Sequence, residues 1–214
     1  MACPLCAQRK PKRYCPATGT KICSLCCGTE REVTIDCPFD CGYLEKTRER
    51  DYKGNLDPKN FPHKEIRIDE RFLSEHEELL TALGQGVFEG TLSVDGAADR
   101  DAQQALDAQI QTYKTLSSGI HYESQPDSLY ARSVFSNLRD TIQAFQQEET
   151  EKFGFARTRD SDIVTILVFL YRMALDRDNG RTRGKAFLDF LRLHFRVVEG
   201  GDEEPEQSLI VPGV

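Results

Sequence analysis

All eight cysteines of this chain fall between Cys3 and Cys41, and none follows. A segment that short has too little apolar surface to close a core unaided, so it needs cross-links or a metal. The spacing is Cys3-x2-Cys6-x8-Cys15-x7-Cys23-x2-Cys26-Cys27-x9-Cys37-x3-Cys41. Zinc takes four ligands in a tetrahedron, and two cysteines two or three residues apart grip it from a tight knuckle, so eight thiols suit two closed sites of four. If neighbouring pairs each took a separate ion, Cys15 and Cys27 would be left without near neighbours. An interleaved arrangement removes that difficulty: Cys3, Cys6, Cys23 and Cys26 share one ion, and Cys15, Cys27, Cys37 and Cys41 share the other. Adjacent residues can point to opposite sides of the chain, so Cys26-Cys27 becomes the junction between the sites. Two Zn2+ per chain are the expected cofactors.

The opening "MACPLCAQRKPKRYC" lacks the charged-then-apolar order of a secretory signal. No run approaches the roughly 20 apolar residues that span a bilayer; the longest apolar stretch, Ile163 to Leu175, includes Thr165 and Arg172. The expectation is a cytoplasmic protein without membrane association. In a reducing compartment disulfides are disfavoured, and clustered thiols act as ligands or catalysts. Four thiolates also hold iron–sulfur clusters, so that alternative stays open on ligand chemistry alone. A Cys-x-x-Cys redox centre is poorly served, because no thioredoxin-like βαβ pattern surrounds either pair.

Four short strings, "CPLC", "YCPAT", "ICSLC" and "CPFDC", resemble the ligand pairs of HIT-type and MYND-type zinc fingers, which interleave two zincs in a cross-brace. The resemblance covers about 40 residues and departs from those fingers at two points. Thr18 stands where the second pair would have its second cysteine, and Cys37 stands where such fingers often have histidine. Cys27 then replaces the ligand missing at Thr18. The resemblance implies recognition of a protein partner. The longer string "YCPATGTKICSLCCGTEREVTIDCPFDCGYL" also resembles the N-terminus of bacterial proteins of unassigned activity with a helical remainder.

The rest of the chain reads as mainly α, a helical bundle attached to the small finger. The expected divisions are 1–43 for the Cys-rich module, 44–65 for a connector, 66–198 for the bundle and 199–214 for a flexible acidic tail. The connector carries Gly54, Pro58 and Pro62 among charges, which favours turns and extended backbone; "YLEKTRERDY", free of Gly and Pro, admits a short helix before it. Leu106, Ile110, Tyr113 and Leu116 recur at steps of four and three, as do Leu138, Ile142 and Phe145 beyond Val134 and Phe135. Asp127 or Ser128 is placed to cap the second of these helices. The segment "RDSDIVTILVFLYRMALDRDNG" starts at Asp160, Ser161 or Asp162, stops at Asn179-Gly180, and is apolar nearly all round, so a central position is expected. A last helix, "RGKAFLDFLRLHF", puts Phe187, Phe190, Leu191 and His194 on one face.

Charge divides along the same line. Residues 1 to 50 hold nine Lys/Arg and six Asp/Glu, so the rest of the chain carries the whole negative excess behind the net −7. Two basic groups are candidates for anion or nucleic-acid contact. Arg9, Lys10, Lys12 and Arg13 adjoin Tyr14, which is available to stack on a base. Arg181, Arg183 and Lys185 gather where one helix ends and another begins, a place where free N–H groups favour phosphate. The plainer reading of that loop is a solvated turn complementing Asp176 and Asp178. A nucleic-acid-associated factor is thus the second functional reading, although an acidic body opposes nonspecific polyanion binding. His63, His76, His121 and His194 form no metal-binding pair by spacing. No nucleophile, base or small-molecule substrate is identified, so the expectation is a binding or adaptor protein rather than an enzyme.

Overall fold

A computed structural model of the chain describes residues 2–51, 57, 60–117, 119 and 123–195. The expected tail at 199–214, the last residues assigned to the bundle, residues 52–56, 58 and 59 of the connector with Gly54 and Pro58 among them, and His121 lie outside the described residues.

The protein is mainly α. A two-stranded antiparallel ribbon, β1 (Arg13–Cys15) and β2 (Thr20–Ile22), is followed by α1 (Ser24–Glu30) and α2 (Gly42–Asp51). The body then runs α3 (Glu70–Glu75), α4 (Glu77–Leu92), α5 (Asp99–Ser117), α6 (Leu129–Phe153), α7 (Asp160–Asp176) and α8 (Ala186–His194). In the body α4 lies along α6, α6 on α5 and α5 on α7, while α8 closes one end against α4 and α5.

The expected faces meet in one core. Leu106, Ile110 and Tyr113 of α5 and Val134, Phe135, Leu138 and Ile142 of α6 are buried together, with Leu116 and Phe145 at its edge. Ser128 supplies the cap of α6, its Oγ accepting the N–H of Ala131 at 3.4 Å, and Gly154 closes the far end at φ +82°. Helix α7 buries Ile163, Val164 and every residue from Ile166 to Leu170, so its nearly continuous apolar surface sits centrally. It stops at Asp176, short of Asn179-Gly180. On α8, Phe187, Phe190 and Leu191 are buried as expected, but His194 is exposed and lies against the Phe190 ring at 4.5 Å. Its place in the core face is taken by Leu188, because α8 packs through the side facing α4 and α5.

Helix α4 has no counterpart among the sequence expectations. Its apolar residues Leu79, Leu80, Leu83 and Val87 keep helical spacing, but Gly84, Gly86 and Gly90 interrupt them. The glycines allow close packing: a Cβ at Gly90 would stand 2.9 Å from Asn137 Cβ and 3.1 Å from Val134 Cα on α6. Contact of that kind repays glycine's poor helix propensity, about 1 kcal/mol relative to alanine.

The cysteine module has its own small core of Cys3, Cys15, Ile22, Cys23, Cys26, Ile35, Cys37 and Leu44. Leu44 belongs to α2, which continues directly out of the module. Cysteines thus stand where aliphatic side chains would in an ordinary core.

Candidate metal centre

The two Cys-x-x-Cys segments form facing knuckles. In the first, Ala7 N–H donates to the Cys3 carbonyl at 2.7 Å, and the turn closes with Ala7 at φ +52°. In the second, Cys23 caps α1 and its Sγ accepts the N–H of Cys26 at 3.4 Å. The two are joined by Cys23 N–H donating to Cys3 Sγ at 3.2 Å. As a result the Sγ atoms of Cys3, Cys6, Cys23 and Cys26 all lie within 4.8 Å of one another, with Cys6 and Cys23 at 4.0 Å. A tetrahedral ion with Zn–S bonds of about 2.3 Å requires sulfur separations of about 3.8 Å, so the cluster needs only slight contraction to hold one.

The thiols' acidities fit the same chemistry. Backbone N–H groups of Gln8 and Arg9 draw the Cys6 thiol down to about 6. Burial acts to raise Cys3, but N–H groups of Cys23, Cys6 and Leu5 prevail and lower it. Cys26 is pushed up to about 12, first by its contact with the Cys23 thiol and then by burial. Like charges this close resist joint ionisation. A divalent cation held among them would let all four thiols deprotonate together.

Among the described residues this is the only group of three or more Cys, His, Asp or Glu side chains that converges so tightly. Cys15 ends β1, Cys37 is buried in the loop after α1, and Cys27 and Cys41 are half-buried. Burial raises the Cys37 thiol; the Glu32 N–H lowers it, and the Glu32 carboxylate, Cys41 and Cys15 raise it further, so these groups share one electrostatic neighbourhood. The adjacent cysteines do face different surroundings. Cys26 joins the four-thiol cluster, whereas Cys27 Sγ accepts from Arg13 Nη1 at 3.6 Å and Arg31 Nη2 at 4.0 Å. Thr18 hydrogen bonds to Thr20 Oγ1 at 3.1 Å.

Of the first basic strip, Arg9, Lys10, Lys12 and Tyr14 are exposed. Arg13 is turned inward, covering the Tyr43 ring at 4.7 Å besides reaching Cys27. The second basic group has a different place from the one expected. Arg181, Arg183 and Lys185 are engaged by the finger, so neither the anion site at this loop nor the plain solvated turn describes it. Arg181 Nη1 donates to the Arg31 carbonyl at 2.5 Å, Arg183 N–H donates to the Glu32 carbonyl at 2.8 Å, and Lys185 Nζ pairs with Asp36 at 2.5 Å.

At the centre of this contact is Glu32, 1% exposed and held at φ +52°. Its carboxylate accepts from Arg48 Nη2 at 2.7 Å, Asn179 Nδ2 at 2.9 Å and Lys185 N–H at 3.1 Å. Arg48 Nη1 also lies 2.8 Å from Asp189 of α8. The sequence offers one local hint of this hub, a lone glutamate in the "REVTIDC" segment, but two of its three partners, Asn179 and Lys185, are over a hundred residues away. Buried Asp99 supports the same corner by accepting the N–H groups of Phe187 at 3.0 Å and Leu188 at 3.1 Å, which caps α8. Burial raises its carboxyl to about 7.

None of the described histidines joins the four-cysteine cluster. His63 Nδ1 faces Lys114 Nζ at 2.7 Å, and His76 lies over the Phe72 ring at 4.2 Å. No described helix is long and apolar enough to cross a membrane.

No family model matches the chain. Neither the curated proteins nor the solved structures return a match to it.

Proposed function

We propose that this protein is a zinc-binding adaptor whose N-terminal finger recognises a protein partner. The observation that carries the metal part is the convergence of four thiols within 4.8 Å, braced by N–H to sulfur hydrogen bonds. Zinc is preferred because four cysteines at knuckle spacing make a closed tetrahedral site with no open position for catalysis. A second ion, held by Cys15, Cys27, Cys37 and Cys41, completes the cross-brace in this reading, with Arg13 and Arg31 offsetting charge at Cys27. The ions hold the finger's loops in shape, and the surface between them meets the partner.

Leu5 and Leu25, one in each knuckle, support the binding role: they are 46% and 51% exposed although their cysteine neighbours converge. Aliphatic side chains fixed on a rigid support make contact area at low entropic cost. The test has two parts. Elemental analysis of protein purified without oxygen should give zinc and no iron; iron with acid-labile sulfide would replace this reading with a redox one. Crosslinking in the source cell should then capture the same partner with wild type and lose it with Leu5→Asp/Leu25→Asp. Capture unchanged by that double variant would remove the finger from recognition.

The nucleic-acid reading is favoured by one feature, the exposed Arg9, Lys10 and Lys12 beside a Tyr14 that is 57% exposed. It requires RNA or DNA affinity that falls steeply with salt and with Lys10→Glu or Lys12→Glu. Absent or salt-insensitive binding would reject it.

A further inference from the structure

Two segments of this chain are opposites in charge. Residues 1–29 hold Arg9, Lys10, Lys12, Arg13 and Lys21 and no Asp or Glu, whereas residues 199–214 hold Glu199, Asp202, Glu203, Glu204 and Glu206 and no Lys or Arg. The finger's cations fall into two sets. Arg48 is committed at the joint with the bundle, to Glu32 and Asp189, and Arg13 is turned onto Tyr43 and Cys27. Arg9, Lys10, Lys12 and Lys21 are exposed, and none of them pairs with a carboxylate among the described residues.

Backbone bonds gather this second set around the cysteine cluster. Cys3 N–H donates to the Arg9 carbonyl at 2.8 Å, Lys12 N–H donates to the Ile22 carbonyl at 2.9 Å, and Lys21 stands opposite Tyr14 in the ribbon. The exposed Leu5 and Leu25 belong to the same small unit. Like charges crowded beside wet leucines are relieved by a segment that brings carboxylates and then aliphatic side chains. The stretch "DEEPEQSLIV", residues 202–211, has that order.

Reach permits the contact. Leu193 and His194, at the end of α8, border one cleft with Leu44 and Glu45 of α2, the helix that continues out of the finger. From Phe195 the chain spans up to roughly 23 Å to residue 202 and roughly 46 Å to residue 209. A unit of about 40 residues is roughly 25 Å across.

We propose that residues 202–211 lie on the finger, the acidic part against Arg9, Lys10, Lys12 and Lys21 and the apolar residues 209–211 against Leu5 and Leu25, so that the chain covers its own recognition surface. The contact itself needs no partner; its consequence, competition with one, rests on the adaptor reading above. A tether within one chain supplies an effective concentration on the order of 1 mM, so a contact with a dissociation constant of about 0.1 mM is about nine-tenths closed. A partner's apparent dissociation constant then rises about tenfold.

The experiment is carbodiimide crosslinking of the full chain at micromolar concentration, with linked peptides identified by mass spectrometry. The reagent activates a carboxylate, a lysine amine displaces it to form an amide, and the reagent leaves as its urea, so only groups in contact are joined. Lys10, Lys12 or Lys21 should link to residues 202–206 within one chain, about tenfold more often than Lys64 and Lys152, which are exposed outside the finger. Salt at 1 M should lower these links several-fold. Leu209→Asp/Ile210→Asp should lower them too, with thermal melts and zinc content measured on the variant so that unfolding does not pass as lost contact. The proposal fails if no link joins finger and tail, if links spread evenly over Lys64 and Lys152, or if they form only between chains and vanish on dilution, which would give the surface to a second copy. Links unchanged in Leu209→Asp/Ile210→Asp would overturn the apolar half of the contact. Absent links, with partner capture still lost in Leu5→Asp/Leu25→Asp, would sink the tail contact alone; links present with capture unchanged would sink the finger's recognition role and leave the contact standing.

Discussion

The finger and the bundle solve the same problem with different materials. In the bundle, Leu, Ile, Val and Phe from five helices close over one another, and hydrophobic burial of about 25 cal/mol per Å² offsets the entropy of ordering the chain. In the finger five of the eight core positions are cysteines, with only Ile22, Ile35 and Leu44 as aliphatic support. Such a core has little apolar area with which to hold itself, and on the proposed reading its free energy of folding comes with a metal. One region should therefore respond to chelators and thiol chemistry, the other to packing changes, and the Glu32 hub should report on both.

The largest expected effect is removal of the metal. Structural zinc contributes on the order of 10 kcal/mol to small finger folds, so a strong chelator or Cys26→Ser should melt the finger. Far-UV circular dichroism should keep most of its helical signal, since α4 to α8 do not draw on the thiols. Loss of the whole helical signal on chelation would show that the two regions fold as one unit. A finer division concerns the double cysteine: Cys27→Ser should lower the zinc count by one, and Thr18→Ala should leave it unchanged. The reverse outcome would return the ligand role to Thr18's position and break the proposed assignment of the second site.

Next comes the joint between the regions. Glu32→Ala leaves Arg48 with a buried charge partly unpaired and frees Asn179 and Lys185, at a cost of about 3 to 5 kcal/mol. The expected sign is faster proteolysis between finger and bundle and a lower urea midpoint. An unchanged midpoint would mean that the hub adds nothing to stability.

A pH comparison tests the same corner. Burial raises Asp99 to about 7 from an ordinary 3.8. A carboxyl that binds its proton more tightly in the folded state makes the protein more stable as pH falls from about 7 towards 4, and the cost of its buried charge is fully present above 7. Between pH 7.5 and pH 5 wild type should gain about 2 to 3 kcal/mol relative to Asp99→Asn, read from urea midpoints. Parallel pH curves would contradict the assignment. Smallest is Gly90→Ala on α4, where contact with Val134 and Asn137 costs about 1 to 3 kcal/mol and better helix propensity returns up to about 1. A stabilised variant would show that α4 and α6 have slack between them.

These differences also explain what sequence reading reaches. Helices α5, α6 and α7 are legible because their faces repeat at steps of three and four without interruption. Helix α4 is not, because Gly84, Gly86 and Gly90 look like breakers until Phe195, Thr141, and Val134 with Asn137, respectively, are seen pressed against them. Cys3, Cys6, Cys23 and Cys26 are legible as a group because ligand spacing is local within each knuckle. The contact of Glu32 with Arg48, Asn179 and Lys185 joins the turn after α1 to α2 and to the segment between α7 and α8, and no local pattern encodes it. For the same reason the cations after α7 look like a free anion site when read alone. Their partners, Asp36 and the carbonyls of Arg31 and Glu32, lie in the other region.

The central claim is that a metal, not a hydrophobic core, holds the finger. Native mass spectrometry of the full chain, before and after chelation and with alkylation of accessible thiols, addresses it most directly. The account predicts two zincs per chain and eight protected cysteines before chelation, and no zinc with all eight alkylated afterwards. A metal-free chain whose Cys3, Cys6, Cys23 and Cys26 stay protected would contradict it, because the cluster would then be held by packing alone.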